Sequence, residues 1–265
     1  MSAPALPEIS EADARGSVAV TYAEIRRVLA VEMVVLYYRV LAAHPGRVER
    51  VWATLAPNLE SRAGRAAAAG LEPRGLDPAA PLEPAALGAG GLDPGAVRST
   101  VEAFDRANRL NLVALSALLH GAPGAAHADG EPAPPLAPIA SLPLADLASI
   151  APPVRTVLER ISAPIAGGER PILVPSMLRV FAREERLLGA VWRSIGPPVE
   201  SEAFALATAD LVAQARRAAQ DLPYPVPREL DPETRAITAR FVRTIPGMIV
   251  VCGLVRQALA DGGSS

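Results

Sequence analysis

Apolar residues recur at helical spacing over Tyr22 to Leu29, Val34 to Ala43, Arg47 to Leu55, Pro94 to Leu119, Val154 to Ile161, Ser176 to Ile195, Glu202 to Asp221 and Pro232 to Leu259. No segment alternates convincingly as a strand does, so the pattern predicts an all-α fold. Two starts are marked chemically: Asp93 and Asp231 stand at N-cap positions, each followed by a proline at the first helical position, Pro94 and Pro232. Gly70 to Gly91, Gly121 to Pro143 and Pro223 to Pro227 are too rich in Pro, Gly and Ala to read as regular structure. The middle stretch carries Pro132, Pro134, Pro135 and Pro138 and reads as a linker.

The two flanks of that linker resemble one another. Laying Arg39–Ala63 on Arg179–Ala203 pairs Arg39 with Arg179, Val40 with Val180, Ala42 with Ala182, Val51 with Val191, Trp52 with Trp192, Pro57 with Pro197, Glu60 with Glu200, Ser61 with Ser201 and Ala63 with Ala203. Downstream, Leu92-Asp93-Pro94 matches Leu230-Asp231-Pro232. The organisation expected is a helical repeat over 1–125, a Pro/Ala-rich linker over 126–144 and a second repeat over 145–265. A small bundle cannot bury all its apolar surface alone, so the copies are expected to pack as an intramolecular pseudo-dimer, with a cleft between them.

Composition sharpens this picture. Half of the 265 residues are apolar and only 4% aromatic, which favours a core of Ala, Leu and Val. The net charge of −2 gives no electrostatic footprint for nucleic acid or an anionic membrane surface, and neither is expected as a partner. The N-terminus has no basic stretch followed by an apolar core, and the longest apolar run, Met248 to Val255, falls short of a membrane span. A cytoplasmic protein is therefore expected, with Cys252 a small buried hydrophobe rather than a reactive thiol.

Candidate chemistry is sparse. Asn108 sits in an amphipathic helix and reads either as a buried contact in the cleft or as a surface amide. Asp105, three residues earlier, could reach the same cleft as a base, or pair with Arg109 one turn on. Arg39 and Arg179 could each clamp a carboxylate, but their preservation in both copies favours bracing. Trp52 and Trp192 fit core anchors. His44, His120 and His127 show no metal-ligand spacing, and phosphate-binding glycine motifs and the hydrolase elbow are absent, so no metal or organic cofactor is implied.

Several short stretches resemble the group I 2-haloacid dehalogenases: Pro7-Glu8-Ile9-Ser10-Glu11-Ala12-Asp13, Tyr22-Ala23-Glu24-Ile25-Arg26, Tyr38-Arg39-Val40-Leu41-Ala42 followed by Pro45-Gly46, and Phe104 with Asn108. The resemblance implies an all-α tandem repeat, a homodimer and cofactor-independent hydrolysis of a small 2-halocarboxylic acid. In that family an Asp on a second-repeat helix activates water for direct attack at the α-carbon, and an Asn of the first repeat helps hold the water. The resemblance puts Asn108 at the Asn position and Ser176 just before the Asp position, which Met177 occupies. A thioether can neither take a proton nor carry negative charge. Met33 and Leu36 fall where the family has pocket aromatics. Two functions follow: a dehalogenase-like hydrolase acting between the repeats, or a non-catalytic helical module that binds a small acid or a protein.

Overall fold

The computed structural model describes residues 6–73, 75–89, 91–125, 128–147, 149–168, 172–182 and 185–261. Every regular element among them is a helix: α1 (Gly16–Leu29), α2 (Leu36–Ala42), α3 (Arg47–Glu60), α4 (Arg62–Ala69), α5 (Pro84–Ala89), α6 (Pro94–His120), α7 (Pro152–Ile165), α8 (Ser176–Phe181), α9 (Glu185–Val199), α10 (Glu202–Gln220) and α11 (Pro232–Asp261). Apart from α5, α1 to α6 and α7 to α11 each run through five helices in which the second is short and the last the longest; the fourth differs, with 8 residues in α4 and 19 in α10.

The local chemistry of the starts recurs as well. Asp93 accepts a hydrogen bond from the Ala96 backbone N–H, and Asp231 accepts one from that of Thr234. Ser61 and Ser201 likewise cap α4 and α10, accepting from the amides of Gly64 and Phe204, while their hydroxyls donate to the carbonyls of Asn58 and Pro198. Such caps contribute about 1 kcal/mol each. At the first copy the turn is tight enough to require glycine: a Cβ on Gly64 would stand 1.9 Å from the Asn58 carbonyl oxygen.

The core is built around α6 and α11, which share the most extensive helix–helix contact. Both are apolar nearly all round, as buried central helices must be. By length and composition α11 could cross a membrane, yet 72% of its most apolar window is buried inside this fold. Two shorter helices cross over: α2 packs on α11 and α8 packs on α6. Edge-to-face rings tie the layers together, with Tyr38 on Trp52 at 5.5 Å, Tyr37 on Tyr38 at 5.2 Å and Tyr37 on Phe241 at 5.3 Å between centroids. Each such pair contributes roughly 0.5–1.5 kcal/mol beyond burial.

Three expectations need correction. Trp52 is buried but Trp192 is half-buried, packed against Gly196, where a Cβ would lie 2.8 Å from the indole; the two tryptophans are not equivalent anchors. The stretch expected as one helix from Ser176 to Ile195 is two, α8 and α9, with Ala182 in a turn and residues 183 and 184 outside the described residues. The α5 helix forms inside the Gly70–Gly91 stretch, and α4 was not anticipated because its Ala-rich sequence shows little apolar periodicity. The stretch read as a linker holds no helix among its described residues and is tied down along most of its length. Its backbone bonds to that of the first half through Arg62 to Glu131, Ala63 to Asp129, Ala133 to Glu60 and Ile139 to Ala30, while Arg106 donates to the Ala137 carbonyl.

Candidate functional site

Where α2, α6, α8 and α11 converge they leave a partly open cavity of about 40 Å³. Its wall includes Leu36 and Tyr37 from α2, Phe104, Asn108 and Asn111 from α6, Ser176 and Met177 from α8, and Phe241, Thr244, Ile245 and Met248 from α11. The volume holds a few water-sized positions. The cross-over packing of α2 and α8 brings this constellation together from residues far apart in sequence.

Most polar groups on the wall already have partners. The Tyr37 and Thr238 hydroxyls are 2.9 Å apart, and burial raises the Tyr37 phenol far above its ordinary pKa. Asn111 accepts from the Tyr38 hydroxyl at 2.8 Å and donates to the Ala107 carbonyl at 2.7 Å. Thr244 donates to the Arg240 carbonyl. Ser176 lies 3.4 Å from Nη2 of the buried Arg39. Asn108 stands near enough to the Cys252 thiol to favour its ionised form, against the larger effect of burial. That thiol is completely buried, 3.5 Å from the Met177 sulfur, and burial pushes its pKa well above the usual thiol range.

Four of the six residues singled out from sequence therefore meet here: Asn108, Ser176, Met177 and Leu36. Met33 is buried in the core but does not line the cavity. Asp105 faces elsewhere. Residues three apart on a helix are rotated by about 60°, and because α6 is packed on all sides, that rotation is enough to reach a different neighbour. Arg109 Nε lies 3.0 Å from both carboxylate oxygens of Asp105, and Arg256 Nη1 lies 3.3 Å from one of them. These groups line a separate 560 Å³ surface cavity with Arg65 and Arg106. Asp105 is thus a paired acid, as its spacing to Arg109 allows, and not a base for the Asn108 cavity. Among the described residues lining that cavity none is Asp, Glu or His.

His44 pairs with Glu233 at 3.3 Å, His120 ends α6, and His127 lies outside the described residues. No group of three metal-ligating His, Cys, Asp or Glu side chains occurs among the described residues. Sequence reasoning missed Tyr37, Asn111 and the whole α11 wall. The sequence held one signal: Leu230-Asp231-Pro232 at the start of α11 matches Leu92-Asp93-Pro94 at the start of α6, and both helices line the cavity.

No sequence-family model matches the chain, and no curated protein is similar to it in sequence. The solved structures give a clear answer about fold: the chain has the all-α fold of the D-2-haloacid dehalogenases. A D-2-haloacid dehalogenase mutant in complex with D-2-CPA superposes with a TM-score of 0.76 at 17% identity, covering 98% of this chain and 95% of that one. A D-2-haloacid dehalogenase with L-LA gives 0.73 at 18% identity, covering 99% and 98%.

Proposed function

We propose that this chain is a haloacid-dehalogenase-like protein that receives a small carboxylic acid in the cavity between its repeats, with hydrolysis at most residual. The fold and the meeting of Asn108, Ser176 and Met177 on one cavity wall support the first half of this reading. One observation carries the second. Position 177 presents a fully buried thioether against Cys252, and among the described residues lining the cavity none is Asp, Glu or His, able to take a proton from water. Loss of a general base costs roughly a hundred- to ten-thousand-fold in rate. The reaction implied by the resemblance needs no metal or organic cofactor.

The same reading takes the halves as a pseudo-dimer over 1–125 and 145–265; the similar helix order, the matched caps and the reciprocal packing of α2 on α11 and α8 on α6 support it. A cytoplasmic homodimer remains the proposal for location and assembly, with neither nucleic acid nor membrane as partner; the near-neutral charge supports the last point. Because α11 is buried within the chain, it gives the homodimer no exposed apolar face, and that proposal rests on the resemblance alone.

The test is halide release from D- and L-2-chloropropionate. The natural chain should release little or none from either enantiomer, and Met177→Asp should raise the rate measurably if Asn108 is in place. Robust turnover by the natural chain would overturn the reading of position 177.

A further inference from the structure

The residues behind Ser176 form a second feature that the cavity wall does not use. Arg39 on α2 and Arg179 on α8 are paired by the repeat, and both side chains are more than nine-tenths buried, at 7% and 8% exposure. They converge on one carboxylate, Glu8: Arg39 Nε lies 3.3 Å from one oxygen and Arg179 Nη1 lies 3.9 Å from the other. The arrangement is underfilled. The buried Arg39 Nε approaches Glu8 without hydrogen-bond geometry and has no other partner. Arg179 donates through Nε to the Ala145 carbonyl, and its pKa is lowered by burial and by the Arg39 charge, with Glu8 and Asp146 acting the other way. Two desolvated guanidiniums thus share Glu8, a long contact on one side and a misaligned one on the other.

Glu8 belongs to no helix. It sits in the extended segment before α1, 28% exposed, and that segment is held through Ile9, whose N–H donates to the Arg39 carbonyl and whose carbonyl accepts from the Tyr22 hydroxyl. The tether does not depend on the Glu8 side chain. On the inner side, Arg39 reaches Ser176, which belongs to the cavity wall.

We propose that Arg39 and Arg179 form a carboxylate-binding subsite at the edge of the cavity, occupied in this structure by the chain's own Glu8, which an acid ligand displaces. The ligand's carboxylate takes the two guanidiniums, and its alkyl end points past Ser176 towards Met177 and Leu36. Guanidiniums favour this class because their planar donor fork matches a carboxylate. Only the placement of the alkyl end rests on the cavity reading above.

The experiment removes the resident carboxylate and offers a free one. Melting temperatures of the natural chain and of Glu8→Ala are followed against sodium acetate, with sodium chloride at equal ionic strength and acetamide as controls. Acetate should raise the Glu8→Ala melting temperature from an onset concentration at least about tenfold lower than for the natural chain, rising logarithmically beyond it, as expected of a ligand that binds only the folded state. Acetamide should do nothing. Equal responses in the two chains, or equal effects of acetate and chloride, would overturn the subsite. Should Glu8→Ala not fold, Glu8→Gln, which keeps the shape and loses the charge, is read by the same criteria. A third chain, Glu8→Ala with Leu36→Trp, separates the two proposals: it should keep the acetate response and lose binding of 2-chloropropionate. Acetate binding with no 2-chloropropionate binding to any of the chains would sink the cavity reading and leave the subsite standing.

Discussion

Placing an Asp at position 177 recreates a base only by burying a carboxylate where the natural chain has a fully enclosed thioether. The perturbation has two parts. Loss of the methionine packing against Cys252 and the surrounding apolar wall costs roughly 2–5 kcal/mol, the range for truncating a buried Met. The charge adds a pH-dependent part, because the described wall offers Asn108 as a donor but no cation to face the new carboxylate. Desolvation therefore raises its folded-state pKa above the unfolded value of about 3.9. Below that unfolded value both states hold the proton and the charge costs nothing. Above it the unfolded chain ionises first, so stability falls by about 1.4 kcal/mol per pH unit until the folded-state pKa is reached, and is flat thereafter. Met177→Asn supplies the packing loss without the ionisation. Denaturant titrations of both variants from about pH 4 to pH 8 should coincide at the acid end and diverge steadily as pH rises, with the Asp variant the weaker. Parallel curves would refute the reasoning, since they would mean that position 177 is already wet or already faces a cation. The same curve bears on activity: any halide release gained by Met177→Asp should appear only towards the alkaline end, where the carboxylate is ionised.

Asn58 bonds the backbone of Tyr224 reciprocally, at 2.9 and 3.0 Å, and so pins the Pro223–Pro227 stretch of the second half to α3 of the first. Asn58→Ala should cost about 1–3 kcal/mol by leaving those backbone groups without their partner, and should speed proteolytic cleavage near Tyr224; an unchanged denaturation midpoint and cleavage pattern would count against the pin. The Asp231 carboxyl is held below its ordinary pKa by the Thr234 hydroxyl and backbone N–H, with desolvation opposing and Arg47 assisting. Its stabilisation is present above the unfolded-state pKa and lost as pH falls through the folded-state value, so Asp231→Ala should destabilise at pH 7 by about 1 kcal/mol and by visibly less below about pH 3. A pH-independent difference between the two chains would dismiss the carboxylate as the cap.

Helix content and the caps were legible because each depends on short-range chemistry. An N-cap needs only its own turn, as at Asp93 and Asp231. What stayed hidden was direction. Asp105 and Asn108 are near neighbours on α6, and spacing alone could not say that their rotation sends one to Arg109 and Arg256 and the other to Cys252. The α11 wall was hidden for a related reason: Phe241, Thr244 and Met248 look like any apolar stretch until α2 and α8 cross over and close a space against it. The backbone bonds that hold the proline-rich stretch to the first half were likewise hidden, because composition says that such a stretch is irregular but not what it bonds to.

The proposed repeat bears on how anything could lie in the cavity. Two identical walls would offer a guest two equivalent poses, head to one half or head to the other, and nothing would choose between them. The positions that the sequence match pairs carry different residues: on the cavity wall Ser176 pairs with Leu36 and Met177 with Tyr37, while Asn108 pairs with Pro246. A hydroxyl on one side and an isobutyl group on the other differ in free energy towards a polar guest atom by more than the thermal energy. Unlike residues at the paired positions thus make the receptacle polarised rather than ambiguous, so that a small molecule in it has a front and a back.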